Sequence, residues 1–180
     1  MSSAPHILVL GGQRSGKSRF AEDLVMRSGK RPVYVATATA GDGEMAERIA
    51  AHRVRRGPEW TVIEEPLELS AALTHSAGED GAVLIDCLTL WLANIIEAGR
   101  DVDGETETLL GALARIAAPV VIVSNDVGSG VIPANALARR YADALGTLNQ
   151  RVAAAVGRVV LMAAGQPLIV KPSPTPEIAL

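Results

Sequence analysis

The stretch HILVLGGQRSGKSRF, residues 6–20, decides the fold. A short apolar, β-prone run at 7–10 leads into Gly11-Gly12-Gln13-Arg14-Ser15-Gly16-Lys17-Ser18, and helix formers such as Phe20, Ala21, Glu22 and Leu24 follow. The pattern is G-x-x-x-x-G-K-[ST] set between a strand and a helix, the context a phosphate-binding loop requires. A loop wrapped round a polyphosphate must turn successive backbone N–H groups inward, so glycines stand where a Cβ would collide or where φ turns positive. The helix behind the loop adds unpaired N–H groups and a positive dipole end. Lys17 is then expected to reach the β- and γ-phosphates, and the Ser18 hydroxyl to ligate Mg2+. A glycine-rich turn that binds nothing is the alternative.

Working outward, composition is compatible with a nucleotide enzyme without pointing to one. At 180 residues the chain can bury a full core as one domain. Hydrophobic residues make up 48% but aromatics only 3%, so that core must be built from small aliphatics. A net charge of −3 and a pI near 5.6 argue against a nucleic-acid surface as the main partner. A single cysteine, Cys87, excludes an internal disulfide, and one thiol cannot make a zinc site alone. With no basic-then-apolar leader and no apolar run of the ~20 residues a membrane span needs, a soluble cytoplasmic protein is expected.

Short β-like runs alternate with longer helical ones. Strands are expected at 6–10, 32–37, 60–64, 82–86, 120–124 and 158–163, with a possible edge strand at 168–171, and helices at 18–27, 43–56, 67–75, 88–98, 105–116 and 133–156. Several strands are near-continuous Val, Ile and Leu, as in a parallel sheet covered on both faces. The chain therefore reads as a single P-loop NTPase-like, RecA-like α/β domain over 1–171, with a doubly wound, mostly parallel sheet flanked by helices. The remaining residues, 172–180, form a proline-rich tail.

Chemistry is expected at the carboxyl ends of such strands. The run Ala82-Val83-Leu84-Ile85-Asp86 ends in a carboxylate, placing Asp86 to hold Mg2+ directly or through water; capping the next helix is its other possible use. The run ending Val35-Ala36-Thr37-Ala38-Thr39 sets two hydroxyls at another strand's mouth. Beyond it, Glu44, Arg48 and His52 fall four residues apart on one helical face, followed by Arg53, Val54, Arg55 and Arg56. His52 could serve as a charge at the helix end, a surface histidine or a working group, and the arginines could be a solvated face or phosphate ligands. Glu64 ends the third run and is a candidate acceptor for the N1–H and amino group of guanine, with Glu65 beside it. The polar, glycine-hinged segment 124–133 suggests substrate or phosphate positioning. Asn149 and Gln150 read as intersubunit or core hydrogen-bonding residues, and Trp91 as core.

Together GGQRSGKSRFAE, VATATAGDGEMAERIAAHRVRRGPEWTVIEEP, VLIDCLTLWLANII and VSNDVGSGVIPANALARRYADALGTLNQRVA resemble the bifunctional adenosylcobinamide kinase/adenosylcobinamide-phosphate guanylyltransferase family. The likeness covers nearly the whole chain in order, and EM-x-x-RI-x-x-H and VSN-[DE]-VG-x-G carry more of it than the loop does. It implies two reactions in adenosylcobalamin assembly. The aminopropanol hydroxyl of adenosylcobinamide takes a phosphoryl group from ATP or GTP, and GTP then gives GMP to that phosphate. The resemblance further implies a guanylylated histidine, here His52, with the neighbouring arginines neutralising phosphate charge. The residues expected to meet nucleotide are 11–18, Thr37, Ala38, Thr39, Arg53, Val54, Arg55, Arg56, Glu64 and Asp86. A homotrimer with sites near subunit boundaries is also implied. A monofunctional P-loop kinase that leaves His52 idle, and a nucleotide-binding switch without transfer chemistry, are the competing readings.

Overall fold

In the computed structural model, which describes residues 6–39, 43, 57–76, 78, 80–127 and 132–172, the apolar runs assemble into one seven-stranded sheet. The strands are β1 (Ile7–Gly11), β2 (Arg31–Ala36), β3 (Thr61–Glu64), β4 (Gly81–Asp86), β5 (Val120–Asn125), β6 (Arg158–Ala163) and β7 (Gln166–Lys171). The described helices are α1 (Lys17–Arg27), α2 (Leu69–Ser76), α3 (Leu88–Glu97), α4 (Val102–Arg115) and α5 (Ala136–Ala155). The helix expected over 43–56 lies, apart from Gly43, outside the described residues, as does the tail beyond Pro172.

Strand order is β3-β2-β4-β5-β1-β6-β7, every pair parallel except β6 with β7. Buried parallel strands explain the unbroken aliphatic runs: Val83, Leu84, Ile85, Val120, Ile122 and Val123 are all sealed from water. Alternation along each strand then sorts side chains between two cores. One face joins Leu8, Val33, Val35, Val83, Ile85 and Ile122 to α2, α3, α4 and α5. On the other, Val9, Tyr34, Leu84, Val121 and Val123 meet Ala21 and Val25 of α1. Trp91 is core as expected, and its indole N–H donates to the Leu67 carbonyl at 2.8 Å.

Several boundaries follow from caps. Helix α4 starts three residues before the expected position because the Asp101 carboxylate accepts from the N–H groups of Asp103 and Gly104. Asn135 caps α5 through the Ala138 N–H. The far end of α5 is closed from a distance: Lys171 Nζ donates to the carbonyls of Ala153, Ala154 and Val156, complementing the negative dipole end. The antiparallel strand β7 is longer than the expected 168–171, and this cap ties its last residue to the helix layer.

Candidate active site

The order β4-β5-β1 brings three strand ends together on one rim of the sheet: Asp86, Asn125 and Gly11. Gly11 is buried, and a Cβ there would come within 2.5 Å of Ser15 Oγ and 2.9 Å of the Met162 carbonyl oxygen. Only glycine lets the loop fold this tightly over the sheet. Gly16, at the N-cap of α1, has φ 92°, which a side chain adopts only under strain. Arg14 at φ 58° does carry such strain, about 1–2 kcal/mol for a residue with a Cβ. The β6–β7 turn braces the loop from outside. Gly165 N–H donates to the Ser15 carbonyl at 3.0 Å, and across a trans peptide this turns the Gly16 N–H away from the hairpin.

Lys17 opens α1 and donates from Nζ to the Gly12 carbonyl at 3.2 Å. Partial burial lowers its pKa from the ordinary lysine value, while the neighbouring Cys87 and Asp86 oppose the shift. Lysine and aspartate are thus within electrostatic reach of each other. Ser18 is half-buried in the first turn of α1. Asp86 does not cap the next helix: Cys87 holds the N-cap position of α3 and makes no side-chain cap. The Asp86 carboxylate instead accepts a hydrogen bond from the Tyr34 hydroxyl at 3.0 Å. The Asp86–Cys87 peptide is cis, and burial pushes the Cys87 thiol up to about 11.

Thr37 is fully buried and clamps β2 to β4. Its hydroxyl donates to the Cys87 carbonyl at 2.7 Å and accepts from the Cys87 N–H at 2.8 Å, and its own carbonyl takes a bond from Asn94 Nδ2. Of the two hydroxyls expected at this strand mouth, that of Thr37 is therefore held by backbone, and Thr39 is the exposed one. Glu64 pairs in register with Ala36 at the same rim. Glu65 is engaged otherwise, with Oε1 accepting from the N–H groups of Leu67 and Glu68 at 3.0 and 2.9 Å. At the end of β5, Asp126 N–H donates to the Gly11 carbonyl, tying the expected polar segment to the phosphate loop. Asn149 Nδ2 donates to the Asn125 carbonyl, the core-satisfying use of that residue.

Ser18 and Asp86 are oxygen donors of the kind Mg2+ takes. Among the described residues no group of three or more His, Cys, Asp or Glu could hold an ion alone. Glu44, Arg48, His52, Arg53, Val54, Arg55 and Arg56, together with 128–131 of the late loop, lie outside the described residues. Sequence reasoning missed Tyr34, Asn94, the Gly165 brace and Thr89, whose hydroxyl accepts from the Asn125 N–H at 2.9 Å. Each acts through a partner at least 28 positions away in every case, and no local pattern encodes such a pairing.

Three comparisons bear on this site. Residues 7–170 match the family model described as cobinamide kinase / cobinamide phosphate guanyltransferase. The chain is 47% identical to the bifunctional adenosylcobalamin biosynthesis protein CobP of Pseudomonas aeruginosa, over 93% of this chain and 98% of that protein. It is 39% identical to CobU of Salmonella typhimurium, also named a bifunctional adenosylcobalamin biosynthesis protein, over 88% and 96% respectively. Among solved structures, the flagellar accessory protein FlaH from Methanocaldococcus jannaschii superimposes with a TM-score of 0.52 at 12% identity, covering 94% of this chain and 79% of that one. That likeness concerns the fold alone, and it agrees with a RecA-like sheet.

Proposed function

This chain belongs to the cobinamide kinase / cobinamide phosphate guanyltransferase family, and from that premise we propose how two reactions divide among its residues. The protein is an adenosylcobinamide kinase and adenosylcobinamide-phosphate guanylyltransferase of adenosylcobalamin biosynthesis. In the kinase step, the substrate hydroxyl oxygen attacks the γ-phosphorus of ATP or GTP, the nucleoside diphosphate leaves, and the hydroxyl proton is released. Residues 11–16 hold the phosphates through backbone N–H groups, and Lys17 balances the charge that builds on the transferring group and leaving oxygen. Ser18 and Asp86 would hold Mg2+, which neutralises phosphate charge when bound.

In the second reaction an unprotonated ring nitrogen of His52 attacks the α-phosphorus of GTP and pyrophosphate leaves. A phosphate oxygen of adenosylcobinamide phosphate then displaces the imidazole and takes the GMP. Arg53, Arg55 and Arg56 steady the phosphates, Val54 lies between them, and Thr37, Ala38 and Thr39 line the nucleotide at the β2 exit. For guanine we assign Glu64, which ends β3 in register with Ala36 at the rim that carries Asp86. A homotrimer in the cytoplasm, where ATP and GTP are available, completes the proposal. The β7 edge supports assembly, since Leu168, Ile169 and Val170 are each more than half exposed.

One observation carries the catalytic assignment: a half-buried lysine behind a loop that only a glycine at position 11 lets fold over the sheet, within electrostatic reach of a strand-end aspartate. Intact-mass measurement after incubation with GTP and Mg2+ tests the transferase half. An added GMP that maps to His52 and is absent from His52→Ala is expected. In that variant phosphorylation of adenosylcobinamide should survive within about tenfold. An adduct on another residue, or loss of both activities in a folded variant, would refute this division.

A further inference from the structure

The apolar strand β2 carries one polar-tipped side chain, Tyr34, in its interior. The residue is only 3% exposed, and its ring meets Trp60 edge-on, with centroids 5.9 Å apart at 83°. Phenylalanine would fill this space equally well, and a buried hydroxyl is costly unless it is hydrogen-bonded. The hydroxyl finds its partner across the parallel pair. Ala36 is in register with Asp86 and Tyr34 with Leu84, so the ring lies on the face that Asp86 shares with α1 and reaches two residues along to Oδ2. An ionised carboxylate can only accept, so the phenol donates.

We propose that Tyr34 is a positioning residue for the metal-side carboxylate. Its hydroxyl holds one oxygen of Asp86, selects the side-chain rotamer, and leaves the other oxygen directed to the cation that accompanies the triphosphate. The inference rests on the assignment of Asp86 to the metal. Outer hydrogen-bond partners orient ligating carboxylates in this way, and their loss lowers metal affinity without changing the ligand itself. The packing of Tyr34 on Trp60 makes the donor rigid, because the ring cannot swing without opening the core between α1 and the sheet.

The test uses the full-length protein, a GTP analogue with a non-cleavable β–γ bridge, and Mn2+ read by electron paramagnetic resonance. Tyr34→Phe should bind Mn2+ about tenfold more weakly, near the lower limit for losing such a partner. Analogue affinity in EDTA and the thermal midpoint should stay near wild type. Kinase turnover at saturating Mg2+ should recover to within about threefold while the Mg2+ needed for half-maximal rate rises. An unchanged Mn2+ affinity overturns the proposal. So does failure of Tyr34→Phe to fold, since the hydroxyl would then be structural. Asp86→Asn separates the two levels: wild-type Mn2+ affinity in that variant would remove the assignment of Asp86 itself. If Asp86→Asn weakens Mn2+ binding, adding Tyr34→Phe should cost nothing further, and an additive loss would overturn the coupling.

Discussion

The two faces of the sheet are built for different purposes. One is covered by α2, α3, α4 and α5 over a continuous apolar cluster. Among the described residues the other has α1 as its main helical cover, with Leu90 of α3 at its edge, and that face holds the phosphate loop, Lys17, Tyr34 and Asp86. Burial stabilises by about 25 cal/mol per Å2 of apolar surface, so the first face contributes most of the folding free energy. The second bears the costs of function: a left-handed Arg14 and a lysine stripped of part of its water. Buried side-chain atoms without a hydrogen-bond partner among the described residues occur on both sides: Ser15 Oγ and Asn125 Oδ1 near the loop, Ser124 Oγ and Asn149 Oδ1 toward the helical layer. A sheet closed on one side by several helices can tolerate strain on the other.

This contrast can be broken by mutation. Lys17→Ala should cut kcat/KM for both reactions by about a hundredfold or more while moving the thermal midpoint by only a few degrees. A large stability loss would mean that the lysine is part of the scaffold. Leu92→Ala should do the reverse, costing about 2–5 kcal/mol in denaturant unfolding because Leu92 is fully buried in the larger core. Turnover per folded molecule should change less than about twofold, and a parallel collapse of activity would show that the faces are coupled.

The smallest effect concerns His6, buried just before β1. Nδ1 accepts from the Val120 N–H at 3.2 Å and Nε2 donates to the Leu113 carbonyl at 2.9 Å, which requires the neutral ring. Burial lowers its pKa from 6.5, the carbonyl partner opposing the shift. Below about pH 6.5 the unfolded chain therefore takes up a proton that the folded protein refuses. Stability should be full above that pH and fall as the pH drops toward the folded pKa, by at most about 1.4 kcal/mol per unit. His6→Gln keeps a donor and an acceptor but cannot titrate, so its denaturation midpoints between pH 7 and 5.5 should vary less than wild type.

What could be read in advance divides along physical lines. The Val83–Ile85 and Val120–Val123 runs identified themselves as covered strands by being apolar at every position, and β6 has the expected bounds. Helix α4 starts before its apolar periodicity does, because its first turn is set by the Asp101 cap. The capping alternative for Asp86 is removed only by the structure, where Cys87 is the N-cap and the Tyr34 hydroxyl bonds the carboxylate. That the Glu65 carboxylate closes the turn to Leu67 and Glu68 was likewise invisible in the sequence.

Sequence alone determined the phosphate loop, the alternation of strands and helices, and the family to which the chain belongs. These are written in neighbouring residues: glycine spacing, apolar period and motif order are local properties of a chain. Tertiary structure alone decided that β5 lies between the phosphate loop and Asp86, that Thr37 clamps β4, that Gly165 braces Ser15, and that Tyr34 holds the carboxylate. Each of those depends on strand order and register. They are set by how two whole apolar faces are best covered at once, a condition that no short stretch of sequence contains.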